Sequence, residues 1–167
     1  MIKQLLIPFI AVAAFIVFVG YFTQRPGTIN LGKFLPSATS TPVQTKSMTV
    51  GVKVIQVEIA NTESLREKGL GGRKSLDTNT GLLFTFEKRQ SMPIFWMKDM
   101  QIPIDIIWIS GDKITKIDKN IMVPDANTPD GQLKKYSPNK PVDYVLEVNA
   151  GFSDTENIKV GDSVIIP

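Results

Sequence analysis

"SMPIFWMKDMQIPIDIIWIS", residues 91–110, holds the reading on which the fold turns. In its second half, "IPIDIIWI", both parities are apolar: Ile104, Ile106 and Trp108 on one side, Ile107 and Ile109 with Asp105 on the other. A half-buried strand alternates apolar with polar residues, whereas a strand covered on both faces reads as a near-continuous apolar run. The stretch therefore predicts a central strand. Asp105 then starts in a desolvated place, where an unpaired carboxylate is costly and a paired one stays ionised. Backbone N–H groups that fix the fold would satisfy it, and so would a basic side chain. We expect the basic partner, Arg66 or Arg73 ahead of Lys98.

Around this strand the chain breaks into short apolar runs from residue 49 onward. "MTVGVKVIQVEIA" alternates through Ile55, Val57 and Ile59, a strand signature. "NTESLREKGL" changes period: Asn61 or Thr62 can cap one or two turns of helix, and Gly69 can end them. "GLLFTF" places Leu82, Phe84 and Phe86 on one face. "PIFWMK" and "IPIDIIWI" read as strands separated by "DMQ", and "SGD" turns the second into "KITKIDKNIMV". "PDANTPDGQLKKYSPNKP" is a long, polar, proline-broken loop; its "DANTPDG" lacks the glycine and final glutamate of a calcium loop. "VDYVLEVNAGF" puts Val142, Tyr144, Leu146 and Val148 on one face and Glu147 on the other. "SDTENIKVGDSVIIP" offers a capping box, Ser153 with Glu156, and a last short strand. About seven short strands with one or two short helices predict a mainly β fold, a compact sandwich or partly closed barrel.

The N-terminal part is of another kind. "LLIPFIAVAAFIVFVGYF", residues 5–22, carries no charge. As a helix it would reach about 27 Å at about 1.5 Å per residue, near the hydrocarbon thickness of a bilayer. A cleaved signal peptide is the rival reading, with a secreted product. Such peptides need small residues at the cleavage site. Here the triplet Ala11, Val12, Ala13 lies inside the apolar run, and bulky Phe18 stands two positions before Gly20. We expect a single uncleaved transmembrane helix. Its flanking charges, Lys3 before and Arg25 and Lys33 after, orient it weakly, and the default leaves the rest of the chain outside. Residues 23–48, rich in Pro, Ser and Thr, read as a tether. The expected organisation is thus anchor 1–22, tether 23–48 and β domain 49–167, on the extracytoplasmic side.

Charge and missing residues narrow the chemistry. The formal net charge of +3 suggests nucleic acid until it is divided by segment. Lys3, Arg25, Lys33 and Lys46 precede residue 49 with no acid among them. Fifteen of the 19 basic residues then face all 16 acidic ones in the domain, a net charge of −1. That is not a phosphate-neutralising surface, so no nucleic-acid partner is expected. With no His there is no imidazole base, catalytic triad or imidazole metal ligand. With no Cys there is no disulfide, thiol nucleophile or thiolate zinc site. Neither a cofactor nor a metal is implied.

Six side chains remain as candidates. Trp96 and Lys98 share a strand face, and an indole beside an ammonium suits a sugar or an anionic group; equally, the Trp is core and the Lys a snorkelling edge residue. Arg66 and Arg73 flank the "GLGG" bend, and two guanidiniums suit a carboxylate or phosphate, or else tie the bend to Asp105 or Glu147. Glu147, with Glu58 or Asp105, has the composition of a glycosidase carboxylate pair.

Several of these segments, in this order, resemble the family called domain of unknown function 192. The matching pieces are "REKGLGGR" with Arg66, Gly69, Leu70 and Arg73; "GLLF"; "FWMKDMQIPIDII"; "VLEVNAG"; and "VGD". The family often has Met at the Gly71 position and Asn at the Asp99 position. The resemblance implies a compact, mainly β domain, often secreted or anchored, and brings no established activity. The expectation is a membrane-anchored binding module. Its Arg66, Arg73, Trp96, Lys98, Asp105 and Glu147 would line a small polar pocket for an anionic or sugar-like envelope ligand. The rivals are a carboxylate-based hydrolase of envelope polysaccharide and a structural or assembly partner with no small-molecule site. On the anchor reading, the full chain fractionates with membranes and added protease releases the domain from intact cells. Recovery of a mature soluble protein lacking the first twenty or so residues would refute the anchor.

Overall fold

The computed structural model describes residues 45–88 and 90–167. The anchor expected over residues 5–22 and nearly all of the tether lie outside them. Among the described residues, no helix is long and apolar enough to cross a membrane.

The domain is mainly β. Its elements run β1 (Lys46–Val50), β2 (Lys53–Ala60), α1 (Glu63–Lys68), β3 (Thr80–Thr85), β4 (Phe95–Trp96), β5 (Ile104–Ser110), β6 (Lys113–Ile121), β7 (Lys135–Tyr136), β8 (Tyr144–Asn149), α2 (Phe152–Thr155) and β9 (Val164–Ile165). Seven strands form one sheet in the order β6-β5-β8-β3-β2-β1-β9, while β4 and β7 pair separately. Among these pairs only β2 and β3 run parallel, joined by a crossover through α1. Six of the seven residues of β5 are buried, which confirms it as a central strand.

The two edges of the sheet approach each other at one end. Lys113 bridges to Ser163, the Ile114 N–H donates to the Asp162 carbonyl at 3.0 Å, and the Val164 N–H donates to the Asp112 carbonyl at 2.8 Å. The sheet is therefore a half-barrel. Its concave side holds Met48, Val50, Ile55, Val57, Leu83, Ile107, Ile109, Leu146 and Val148. Its convex side carries Leu82, Phe84, Ile104, Ile106, Trp108 and Val145, covered by Leu70, Met97, Met100 and Ile102 from connecting segments. The two parities of β5 go to the two clusters as its sequence requires.

Several local expectations need correction. The run "MTVGVKVIQVEIA" is not one strand but a hairpin, folded at Gly51 and Val52 between the paired Val50 and Lys53. Gly51 has φ +60, which suits a tight hairpin turn, and a side chain there would meet Ile158 at 2.9 Å. β1 also begins at Lys46, ahead of the boundary drawn at residue 49. "PIFWMK" contributes only a two-residue strand, which pairs with Lys135 and Tyr136 of the polar loop rather than with the next strand. The capping box does not form: α2 starts after Gly151, and Glu156 instead pairs with Lys53 at 2.9 Å. Helix α1 is capped by Thr62, whose hydroxyl accepts the Leu65 N–H at 3.2 Å.

Asp105 is fully buried, but its partner is not an arginine. Its carboxylate accepts three backbone N–H groups: Asn120 at 2.8 Å, Gly151 at 3.1 Å and Ser153 at 2.9 Å. The reason lies in the parity of β5. Asp105 shares the side of Ile107 and Ile109, whereas Leu70 in the arginine bend packs on the side of Ile106 and Trp108. Arg66 and Arg73 cannot cross the sheet. The carboxylate thus staples β6 and the α2 turn to the central strand. Hydrogen bonds to a charged group contribute about 1.5–3 kcal/mol each. Asp105→Asn, which turns one acceptor into a donor facing N–H groups, should cost about 3 kcal/mol in urea melts. Asp99→Asn should cost far less, since Asp99 is exposed and its φ of 56 is one Asn adopts readily. Equal small losses would mean that the staple carries no stability.

Candidate functional site

A cleft of about 1060 Å³ opens on the convex side of the half-barrel. One wall is α1 and the glycine bend after it, the other is the segment 93–100, and Phe84 and Glu147 form the base.

Local sequence builds each wall. α1 ends at Gly69, whose φ of 51 and ψ of −136 suit only glycine. The chain then doubles back, with the Arg73 N–H donating to the Leu70 carbonyl at 3.1 Å, and buried Leu70 holds the bend to the sheet. In the opposite wall, the Phe95 ring lies edge-on between Phe84, 4.8 Å away, and Trp108, 5.5 Å away. Such aromatic pairs contribute about 0.5–1.5 kcal/mol each beyond area burial. With Phe95 and Met97 held inward, Trp96 and Lys98 face outward, as their alternation predicts. Trp96 is 45% exposed, and Lys135, its cross-strand partner, lies 5.5 Å from the ring centroid. A hydrogen bond from the Gly72 N–H to the Asp99 carbonyl, 2.9 Å, joins the walls.

Glu147 stands in β8 opposite Leu82 on one side and Ile106 on the other. It is 5% exposed, and its Oε2 has no hydrogen-bond partner among the described residues. Burial pushes the carboxyl up to about 8, with the Arg73 charge pulling against it. Near neutral pH it is therefore largely protonated. Arg73 does not reach it, because both of its terminal nitrogens bind Glu58 at 2.6 Å. Hydrogen bonding to that guanidinium holds the Glu58 carboxyl below its ordinary value. Glu58, Leu82 and Glu147 lie in one cross-strand row, so the two acids start about 10 Å apart at two strand spacings.

Of the six expected residues, Arg66, Trp96, Lys98 and Glu147 line the cleft. Arg73 stands outside its lining, committed to Glu58. Asp105 is on the opposite face. Of the expected carboxylate partners of Glu147, Glu58 is ion-paired with Arg73, and Asp105 accepts backbone N–H groups on the opposite face. Sequence reasoning missed Phe84, Phe86 and Glu67 as lining residues. For Phe84 and Phe86 the signal was present, in the shared parity of "GLLFTF".

A match to the family model DUF192, described as an uncharacterized ACR, spans residues 43–166. The chain belongs to the DUF192 family. This DUF192 chain is similar to a protein of unknown function from Novosphingobium aromaticivorans, 28% identical, with a TM-score of 0.66 over 77% of this chain and 89% of that one. It is also similar to a protein from Sinorhizobium meliloti provisionally described as a transcription regulator, 28% identical, with a TM-score of 0.61 over 71% and 89%. No curated protein matches it.

The state of Glu147 sets a pH dependence of stability. Its folded value, about 8, lies above its ordinary 4.5, so folding takes up a proton between them. Its contribution to stability is fully present below pH about 4.5 and is lost as pH rises to about 8, by about 1.4 kcal/mol for each pH unit crossed. Glu147→Gln removes that slope. Thermal melts should show the variant gaining stability over the parent at pH near 9 and little at pH near 5. A uniform loss at both would mean that the carboxyl is ionised and partnered.

Proposed function

We propose that the domain is a membrane-anchored, extracytoplasmic binding module whose cleft takes a sugar-like ligand. The observation that carries this reading is the unpartnered Glu147 carboxyl at the base of an open cleft with a half-exposed indole on its wall. Sugar sites combine such parts: an aromatic face for the ring's C–H side and few, fixed polar groups for its hydroxyls.

Charge favours the sugar-like over the anionic ligand. Arg66, Lys68 and Lys98 line the cleft against Glu63, Glu67, Glu87 and Asp99, and Lys98 is held by Asp130 at 2.6 Å. An anion would enter against a net acidic mouth. The domain's net charge of −1 likewise gives no support to carrying over the regulator description of the Sinorhizobium meliloti relative.

A hydrolase is the second reading, and one observation favours it. A carboxyl held protonated near neutral pH is what a general acid needs. The opposing base is less well provided, since Glu58 is locked to Arg73. Titration of the protein with neutral oligosaccharides, followed by amide shifts, tests binding. Trp96→Ala should weaken it by about two- to thirteen-fold, the loss of a ring contact of about 0.5–1.5 kcal/mol. Unchanged affinity in that variant would exclude the cleft. Release of shortened sugars that stops in Glu147→Gln would establish the hydrolase.

A further inference from the structure

We propose that the ligand group reaching the base of the cleft is a protonated amine, received by the Glu147 carboxylate. The inference rests on the sugar-binding reading above and narrows it to an amine-bearing sugar.

Glu147 Oε2 lies 3.8 Å from where a side chain on Gly69 would begin, and the Phe84 ring lies 3.6 Å from the same point. The missing side chain leaves the carboxyl and the ring edge together beneath the bend. No donor among the described residues meets that oxygen. The one guanidinium whose charge acts on Glu147, that of Arg73, is held by both oxygens of Glu58. The carboxyl can then be satisfied by a proton or by a cation from outside.

The surroundings select the cation. Lys98 is engaged by Asp130 away from the base. Arg66 donates to the Thr85 carbonyl at 3.0 Å and lies 6.0 Å from the Phe86 ring centroid. Glu67, in contrast, forms no ion pair among the described residues, and Asp99 meets Lys98 only at longer range. Arg66 and Lys68 keep their charges, but Glu63, Glu67, Glu87 and Asp99 outnumber them at the mouth, so the net field there is acidic and an ammonium is drawn in. A neutral hydroxyl would gain nothing from that field. When the ammonium binds, the Glu147 proton leaves to solvent and the N–H donors take its place on the carboxylate.

A matched pair of ligands decides the matter. The full chain in detergent is titrated by calorimetry near neutral pH with the disaccharide of glucosamine and with its N-acetylated counterpart. The two differ only in a charged amine against a neutral amide. The amine form should bind about ten-fold tighter, the difference between a charge-assisted and a neutral hydrogen bond. Glu147→Gln should bring the affinities for the two ligands together. Equal binding by the parent protein, or tighter binding of the amide, overturns the amine and leaves the sugar reading standing. A preference that survives in Glu147→Gln overturns Glu147 as the receiving group. Binding of neither disaccharide overturns both readings.

Discussion

Every residue of β5 except the last is buried, and its side chains point alternately to opposite faces of the sheet. Neither face of the central strand can therefore be left to water. The two faces meet this demand differently. On the concave side the sheet covers itself by curling until β6 and the segment before β9 exchange backbone hydrogen bonds. On the convex side the small β4–β7 pair cannot do the same alone, and the cover is assembled from it, Leu70 of the glycine bend and the segment 93–102. A cover of irregular backbone cannot close over the apolar surface as a curled sheet does, because its peptide groups need partners of their own. The cleft lies where the two parts of that cover leave the sheet open.

The two buried acids of the central strands show how the faces differ. Asp105 and Glu147 sit on adjacent paired strands, Asp105 opposite Val148 and Ile106 opposite Glu147, and so face opposite ways. On the concave side the turn before α2 and the end of β6 supply Asp105 with three N–H donors, and the carboxylate becomes part of the frame. On the convex side the nearest cover is a bend whose glycine brings no side chain, and Glu147 Oε2 gets no donor among the described residues. A buried polar group with every partner in place reads as structure, while one without any is left for something else to satisfy.

What was legible in the sequence was parity, and what was not was pairing. The assignment of Ile104, Ile106 and Trp108 to one core and Ile107 and Ile109 to the other follows from period two alone, as does the outward turn of Trp96 and Lys98. Thr62 and Gly69 bound α1 because capping is local chemistry. The family resemblance over "FWMKDMQIPIDII" pointed to the same β architecture. Period two does not say which strand lies alongside, so the β4–β7 pair, joining residues about forty apart, reads in sequence as hairpin and loop. Nor does it say which face the arginine bend covers. That ambiguity is enough to point Arg73 toward Asp105, when the row it covers is Glu58–Leu82–Glu147.

That row explains why the cleft has a neutral acid at its base rather than an ion pair. One guanidinium offers a single fork, and a carboxylate that takes both prongs leaves nothing for a second acid two strands away. Glu58, partly exposed at the edge of the row, binds Arg73 at low desolvation cost and stays ionised. Glu147, central in the row, would incur the full desolvation penalty for the same charge and instead holds its proton. The arginine goes to the acid that needs it less. The outcome is a buried oxygen with hydrogen-bonding capacity unspent, placed by the β8 backbone between two buried neighbours at the base of the cleft.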